Sequence, residues 1–348
     1  MLKKKEIEEI REHLERAQNP VFMFDNDQDG LCSFLLLQRH YKRGLGVCIK
    51  SFPELDVNYF RKVEELNADY IFILDKPMVS EEFWKEVEQV NIPVVWIDHH
   101  KIDKKTIPEF VNYYNPIYSD GESEPVTVLC YEIVKKNKKD LWLAIVGAIS
   151  DYYLPKYYKD FQKKYPDLAT RSVEKDPFNV LFGSEIGKIA KMLGNGMKDT
   201  TTNVVLMLKF LMKVKSPYEV MEETKANFAM HHRSREIEKK YNILLEKAKL
   251  KVDDTNFLYF GYSGDLSISG ELSNQLGHLY PEKTIIVSFF RGSKVNLSLR
   301  GKDVLSKFEV AIKDIKEGRG GGHKDAVGGQ LHMDDLDKFV ENMRKLVE

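Results

Sequence analysis

A chain of 348 residues exceeds the size at which one hydrophobic core usually keeps growing, so two domains are expected, and a 43% hydrophobic content can fill two cores. Lys+Arg (53) and Asp+Glu (54) nearly cancel, so net charge neither supports nor excludes a polyanionic substrate, and any basic surface is a local patch. No stretch approaches the ~20 apolar residues of a membrane span, and Cys32, Cys48 and Cys130 are scattered without a CxxC pair, so a soluble cytoplasmic protein with no membrane contact is expected.

The N-terminal MLKKKEIEEIREHLERAQ reads as a charged amphipathic helix without the apolar core of a signal peptide. Residues 21–24 read as a short buried strand, 31–42 as a helix, 46–52 and 70–75 as strands, 80–90 as a helix capped by Ser80, and 93–98 as another strand. This βαβ series predicts an α/β domain on a parallel sheet, where ligands bind beyond the carboxyl ends of the strands. Asp25, Asp75 and Asp98 each fall at or just past such an end. Two mainly helical segments follow, 126–136 and 141–148, the second running into Asp151. The pattern stays helical through 180–193, 203–212 and a long charged run, 217–250, that reads as a connecting helix. A smaller α/β domain then begins, with a strand at 257–262, a helix around 272–279, and a hairpin of 285–290 and 294–300 turning at Gly292-Ser293. A glycine cluster over 318–322, His323 and a helix from about Leu336 complete it. The expected organisation is 1–215 as the metal-binding domain, 216–251 as the connecting helix and 252–348 as the second domain.

Aspartates after strands are common as turn formers and helix caps, so any one alone carries little. Their density changes the reading: Asp25, Asp27 and Asp29 repel one another unless cations neutralise them, and Gly30 lets the chain turn tightly into a helix. DNDQDG also matches the start of a calcium-binding EF-hand loop, but Leu36 stands where that loop needs Glu, and a strand rather than a helix precedes it. Asp98-His99-His100 emerges where the buried strand VVWI ends. Carboxylates mixed with imidazoles suit a pair of Mn²⁺ or Mg²⁺ ions, which at about 3.5–4 Å apart need a bridging carboxylate, terminal ligands and a group for proton transfer. The chain therefore reads as a two-metal phosphoesterase. His231-His232 reads as a solvated helix face, while Tyr113-Tyr114 and Tyr152-Tyr153 read as core, with base stacking as the alternative.

The succession D-x-D-x-D-G, strand-end Asp, D-H-H and G-x-I-x-D, followed by an S-x-R strand and a GGGH loop, resembles the DHH phosphoesterase superfamily with its C-terminal DHH-associated domain. Asp25, Asp27 and Asp29 match the first motif, Asp75 the second, Asp98, His99 and His100 the third, and Gly147-Ala148-Ile149-Ser150-Asp151 the fourth. Ser298-Leu299-Arg300 and Gly320-Gly321-Gly322-His323 match the substrate-contacting strand and loop. Met23 stands where relatives that cleave very short RNA or cyclic-dinucleotide products carry a His, and Asp25 comes two residues before Asp27 instead. That is the arrangement of RecJ-like single-strand-specific exonucleases, and it implies Asp25 as a metal ligand or as support for one. Lys76-Pro77 departs from the small residues usual after the second-motif Asp. The chain lacks room for the extra domains of long bacterial RecJ, which implies a minimal, archaeal-type member.

The roles expected are these. Asp75, alone at a central strand end, bridges two divalent ions, Mn²⁺ preferred and Mg²⁺ possible, while Asp27 and Asp29 bind one each, joined by His99 and Asp151. His100 contacts the phosphate or gives a proton to the leaving oxygen, with Asp98 as acceptor fixing a neighbouring tautomer. Arg300 clamps phosphate, and the Gly320, Gly321 and Gly322 amides form an anion-binding turn completed by His323. The expected activity is release of mononucleotides from single-stranded DNA or RNA, with replication or repair proteins as partners. An oligoribonuclease or small-nucleotide phosphatase, and a replication scaffold that only grips single strands, stand as alternatives.

Overall fold

The computed structural model describes residues 1–51, 53–172 and 176–348, and the chain divides into two compact units, Met1–Ser234 and Arg235–Glu348. The first unit runs α1 (Lys4–Arg16), β1 (Pro20–Asp25), α2 (Gln28–Tyr41), β2 (Leu45–Ile49), β3 (Glu54–Leu55), α3 (Phe60–Glu65), β4 (Tyr70–Leu74), β5 (Met78–Val79), α4 (Glu81–Val90), β6 (Val94–Ile97) and β7 (Val111–Tyr114). Phe52, the end of the second predicted strand, lies outside the described residues. Five strands form a parallel sheet in the order β2-β1-β4-β6-β7. Successive side chains of a strand point to opposite faces, and both faces here are apolar, as a parallel sheet covered by helices requires. Phe22, Phe24, Phe72, Leu74, Val95 and Ile97 enter one core, and Val21, Met23, Ile71, Ile73, Val94 and Trp96 the other. The edge strand β7 was not anticipated, because Val-Asn-Tyr-Tyr carries no apolar run.

Helices complete the unit: α5 (Val126–Ile133), α6 (Leu141–Ser150), α7 (Tyr158–Lys164), α8 (Pro177–Gly183), α9 (Glu185–Met197), α10 (Thr201–Leu211) and α11 (Pro217–Met221). The single helix expected over 180–193 is broken at Ser184, whose hydroxyl caps α9 by accepting from the Gly187 N–H at 3.2 Å. The charged run is also interrupted: the Asn227 side chain accepts from the Thr224 N–H (2.7 Å) and donates to the Glu222 carbonyl (2.9 Å), so the long helix α12 (Phe228–Lys249) starts only at Phe228. On it, His231 is buried rather than solvated, its Nε2 2.9 Å from the Val220 carbonyl, while His232 is exposed and stacks on Phe228.

The second unit contains β8 (Phe257–Ser263), α13 (Ser269–Leu279), β9 (Thr284–Arg291), β10 (Lys294–Arg300), α14 (Val304–Ile312), β11 (Arg319–His323), β12 (Ala326–His332) and α15 (Leu336–Val347). Its sheet order is β11-β12-β10-β9-β8, antiparallel except between β8 and β9. The predicted hairpin turn is present, with Gly292 at φ +62. The glycine cluster, expected as an anion-binding turn, is instead an exposed edge strand. Gly320 and Gly329 lie opposite each other over Phe308, where an added Cβ would come within 2.5 and 2.9 Å of its ring, so bare backbone lets β11 and β12 close over that side chain. Cys32, Cys48 and Cys130 are all free thiols, the first and last buried.

Candidate metal centre

The sheet assembles the site before any side chain is considered. β1, β4 and β6 are adjacent and in register, so Asp25, Asp75 and Asp98 arrive together at one carboxyl edge. Asp75 takes a left-handed backbone (φ +59), which a short polar side chain tolerates, while its N–H still bonds the Ile97 carbonyl at 3.0 Å. After β1 the chain turns at Asp27, whose carboxylate accepts from the Gly30 N–H at 2.9 Å and caps α2. Gly30 is required there, since a Cβ would meet the Asp25 backbone at 2.7 Å.

Around this edge the predicted ligands converge. The Nε2 of His99 lies 3.3 Å from Asp75 Oδ1 and its Nδ1 3.7 Å from Asp151 Oδ2. Asp75, His99 and His100 form one set whose donor atoms lie within 4.8 Å of one another, and Asp29, His99 and Asp151 form another, so His99 belongs to both. Asp27 hydrogen-bonds Asp75. Asp29 is buried, and its two oxygens accept from the Val126 and Thr127 N–H groups (2.7 and 2.8 Å), the positive end of α5. Buried Asp98 accepts from His100 Nδ1 at 2.8 Å and from the Tyr113 hydroxyl at 3.3 Å. Asp25 is turned toward a different partner: its Oδ1 is 2.8 Å from Nζ of Lys76, which is only 1% exposed and also donates to the Ser51 carbonyl at 2.8 Å.

Burial and mutual repulsion dominate the electrostatics. Burial, then the charges of Asp25 and Asp29, push Asp27 up to about 7, while burial, then the charges of Asp27 and Asp29, holds Asp75 and Asp151 well above the usual carboxylate range. Burial opposes protonation of His100, but the hydrogen bond to Asp98 and the surrounding acid outweigh it and raise that imidazole to about 9. At the centre, Asp75 Oδ1 is buried with no hydrogen-bond partner among the described residues. An orphaned carboxylate oxygen among acids that resist ionising together is what hard divalent cations compensate, so the residues present fit such ions.

Three contributors escaped the sequence reading. Lys76 was visible only as a departure from the motif; Tyr113 depends on the unanticipated β7; and Ser123, whose Oγ is 3.2 Å from His99 Nδ1, lies in a loop with no pattern. In the second unit, Ser298 donates to Ser269 Oγ at 2.9 Å and Arg300 is steadied by Asn274 on α13, while His323 is exposed on β11.

The DHH family N-terminal domain matches residues 21–155 and the DHHA1 domain residues 254–348, together about two thirds of the chain. The chain belongs to the DHH phosphoesterase superfamily, as a RecJ-like member in which a DHHA1 domain follows the DHH domain in sequence. Among solved structures it is similar to RecJ from Thermus thermophilus in complex with Mn²⁺ (15% identity, TM-score 0.72), covering 100% of this chain and 55% of that one, so it spans about half the length of that protein. It is similar also to an exonuclease RecJ bound to manganese (15%, TM-score 0.67, 100% and 95% covered) and to the DHH domain of a member of a family of ribosomal proteins (14%, TM-score 0.70, 99% and 90% covered). At these identities the likeness establishes the fold. No curated protein sequence matches the chain.

Proposed function

We propose that this chain is a metal-dependent exonuclease that releases mononucleotides from the end of single-stranded DNA or RNA. The observation that carries the chemistry is the buried Asp75 Oδ1, which has no hydrogen-bond partner among the described residues and belongs to one of two ligand sets that share His99. The Met23 and Asp25 arrangement and the likeness to RecJ support a single strand as substrate.

In this reading Asp27, Asp29, Asp75, His99 and Asp151 hold two divalent ions, manganese by preference, with Asp75 shared. When bound, such ions supply positive charge that polarises the phosphodiester and makes water acidic enough to attack it. Asp25 supports the set through Lys76 rather than ligating. Asp98 orients His100 through Nδ1, leaving Nε2 to meet the phosphate and pass a proton to the leaving oxygen as its bond to phosphorus breaks. Ser298, Arg300, Gly320, Gly321, Gly322 and His323 bind the substrate's phosphates. The free thiols suit a reducing cytoplasm, and no described helix is long and apolar enough to cross a membrane. Replication or repair proteins are the partners such an activity would serve.

Digestion of end-labelled single-stranded DNA and RNA ladders tests the reading. Mononucleotides should appear progressively with Mn²⁺, EDTA should abolish the reaction, and blunt duplex should resist. Cleavage confined to dinucleotides or free nucleotides would replace this reading with the small-substrate one.

A further inference from the structure

The sheet of the second unit has one face covered by α14 and α15; α13 packs on the other face over β8, β9 and part of β10 and leaves β11 and β12 open. On β10, Val295, Leu297 and Leu299 enter the core, so Lys294, Asn296, Ser298 and Arg300 face the other way. Strand register carries this alternation across β12 and β11. It produces rows on that face: His323, Ala326 and Arg300 in one, Gly321, Gly328 and Ser298 in the next, and Arg319, Gln330 and Asn296 in the third, with His332 beside Lys294 at the end. α13 covers the β10 end of the first two rows, where Ser298 is buried against Ser269 and Arg300 meets Asn274, so the open part is carried by β11 and β12.

The middle row is the informative one. Gly320 and Gly329 must be glycine because of Phe308, but a Cβ at Gly321 or Gly328 would meet nothing within 4 Å. Glycine weakens a strand, and packing does not require it at these two positions. Bare backbone in a strand interior suits close approach of a ligand. Beyond this floor the third row is already tied together, Arg319 donating to Gln330 Oε1 (3.0 Å) and Gln330 to Asn296 Oδ1 (2.8 Å). There Lys294, Glu317, Arg319, Gln330, Leu331 and His332 line a cavity of about 210 Å³. Two fixed cations face one carboxylate, Glu317, while His332 Nδ1 lies 3.3 Å from Asp334 Oδ2. With Lys294 and Arg319 against Glu317, the lining residues carry net positive charge and hydrogen-bond donors, and they include no Phe, Tyr or Trp on which a base could stack.

We infer that Lys294 and Arg319 form a second, distal phosphate subsite, which holds the backbone of a single nucleic-acid strand lying along the glycine floor from Arg300 and His323. This rests on the single-strand reading above. Six residue steps along β10 separate Arg300 from Lys294, about 20 Å. A stacked strand advances about 3.4 Å per nucleotide, so the track spans about six nucleotides, and fewer if the strand is extended. Affinity should therefore rise with length up to about six nucleotides and then level off.

The test is fluorescence anisotropy of end-labelled oligothymidylates of two and eight nucleotides with the intact chain in EDTA, followed by Mn²⁺ digestion of the eight-mer. The wild type should bind the eight-mer at least about ten-fold more tightly than the dinucleotide. The Lys294→Ala/Arg319→Ala double variant should lose about ten-fold on the eight-mer, with a log–log salt slope shallower by about 2. Dinucleotide affinity should move by less than about two-fold. Lys294→Arg/Arg319→Lys, which keeps both charges, should retain most of the eight-mer affinity, and Lys345→Ala, on α15, should behave as wild type. A folded double variant that binds the eight-mer with wild-type affinity and slope overturns the subsite, and wild-type digestion of that eight-mer would leave the single-strand reading standing. A wild type that neither binds nor digests the eight-mer overturns both.

Discussion

At the residue scale the centre works through pairs that set one another's charge. Asp98 keeps His100 protonated to about 9, so activity that needs this proton should hold up to that pH and fall above it. Asp98→Asn removes the charge that outweighs burial. The alkaline limb of the pH–rate profile should then move down from about 9 toward the ordinary imidazole value of about 6.5, with kcat lower by about 10- to 100-fold. A limb that stays in place would assign the proton to another group. Asp75→Ala should lower cleavage by several orders of magnitude and weaken Mn²⁺ binding in calorimetric titration, because in the proposed two-ion site both ions would lose a shared ligand. Lys76 donates to Asp25 and to the Ser51 carbonyl. Lys76→Met leaves Asp25 without its buried partner and should destabilise the protein by about 3 kcal/mol in urea denaturation, most of which Lys76→Met/Asp25→Asn should recover.

At the scale of elements, the same residue type does opposite work on the two faces of one strand. Gly320→Ala drives a methyl into the Gly328 carbonyl and the Phe308 ring, both 2.5 Å from the position its Cβ would take, and should cost about 1–3 kcal/mol in urea denaturation. Gly321→Ala points into open space and should change stability by less than about 0.5 kcal/mol. Equal losses in the two variants would show that the faces are not distinct. The α2 N-terminus carries a similar double duty: Asp27 caps the helix through one oxygen and lies within the acid cluster.

At the scale of the whole molecule, the metal centre should govern how stability depends on pH. Asp27 has a folded value of about 7 against about 3.8 unfolded, so without metal its contribution is complete below 3.8 and lost as pH rises through 7. His100, raised from 6.5 to about 9, contributes below 6.5 and loses that contribution through 9. Both trends run the same way. The chelated protein should melt at progressively lower temperature from pH 5.5 to 8.5, and Mn²⁺ should raise Tm more at pH 8 than at pH 6, because protons compete with the ion for the same carboxylates. A chelated Tm that climbs with pH would refute the crowding of buried acid.

Much of the molecule was legible locally. Short apolar runs and turn residues placed β1, β4, β6, the β9–β10 hairpin and Ser80 as a cap, because apolar runs, capping and turn chemistry act over a few residues. The spacing of Asp25, Asp27, Asp29, Asp75, Asp98, His99, His100 and Asp151 along the chain was enough to indicate divalent-ion chemistry, since ligand type is a property of the side chain itself. The partnerships of those residues were decided only by tertiary structure. Asp25 meets Lys76 across 51 positions, Asp29 caps a helix 97 positions on, and the glycine cluster becomes an edge strand because Phe308 lies beneath it. The sequence alone determined the chemical inventory and the secondary elements that carry it. Tertiary folding decided which carboxylate faces a lysine, which faces a helix end and which keeps a buried oxygen without a hydrogen bond, because those outcomes depend on packing between segments that share no local period.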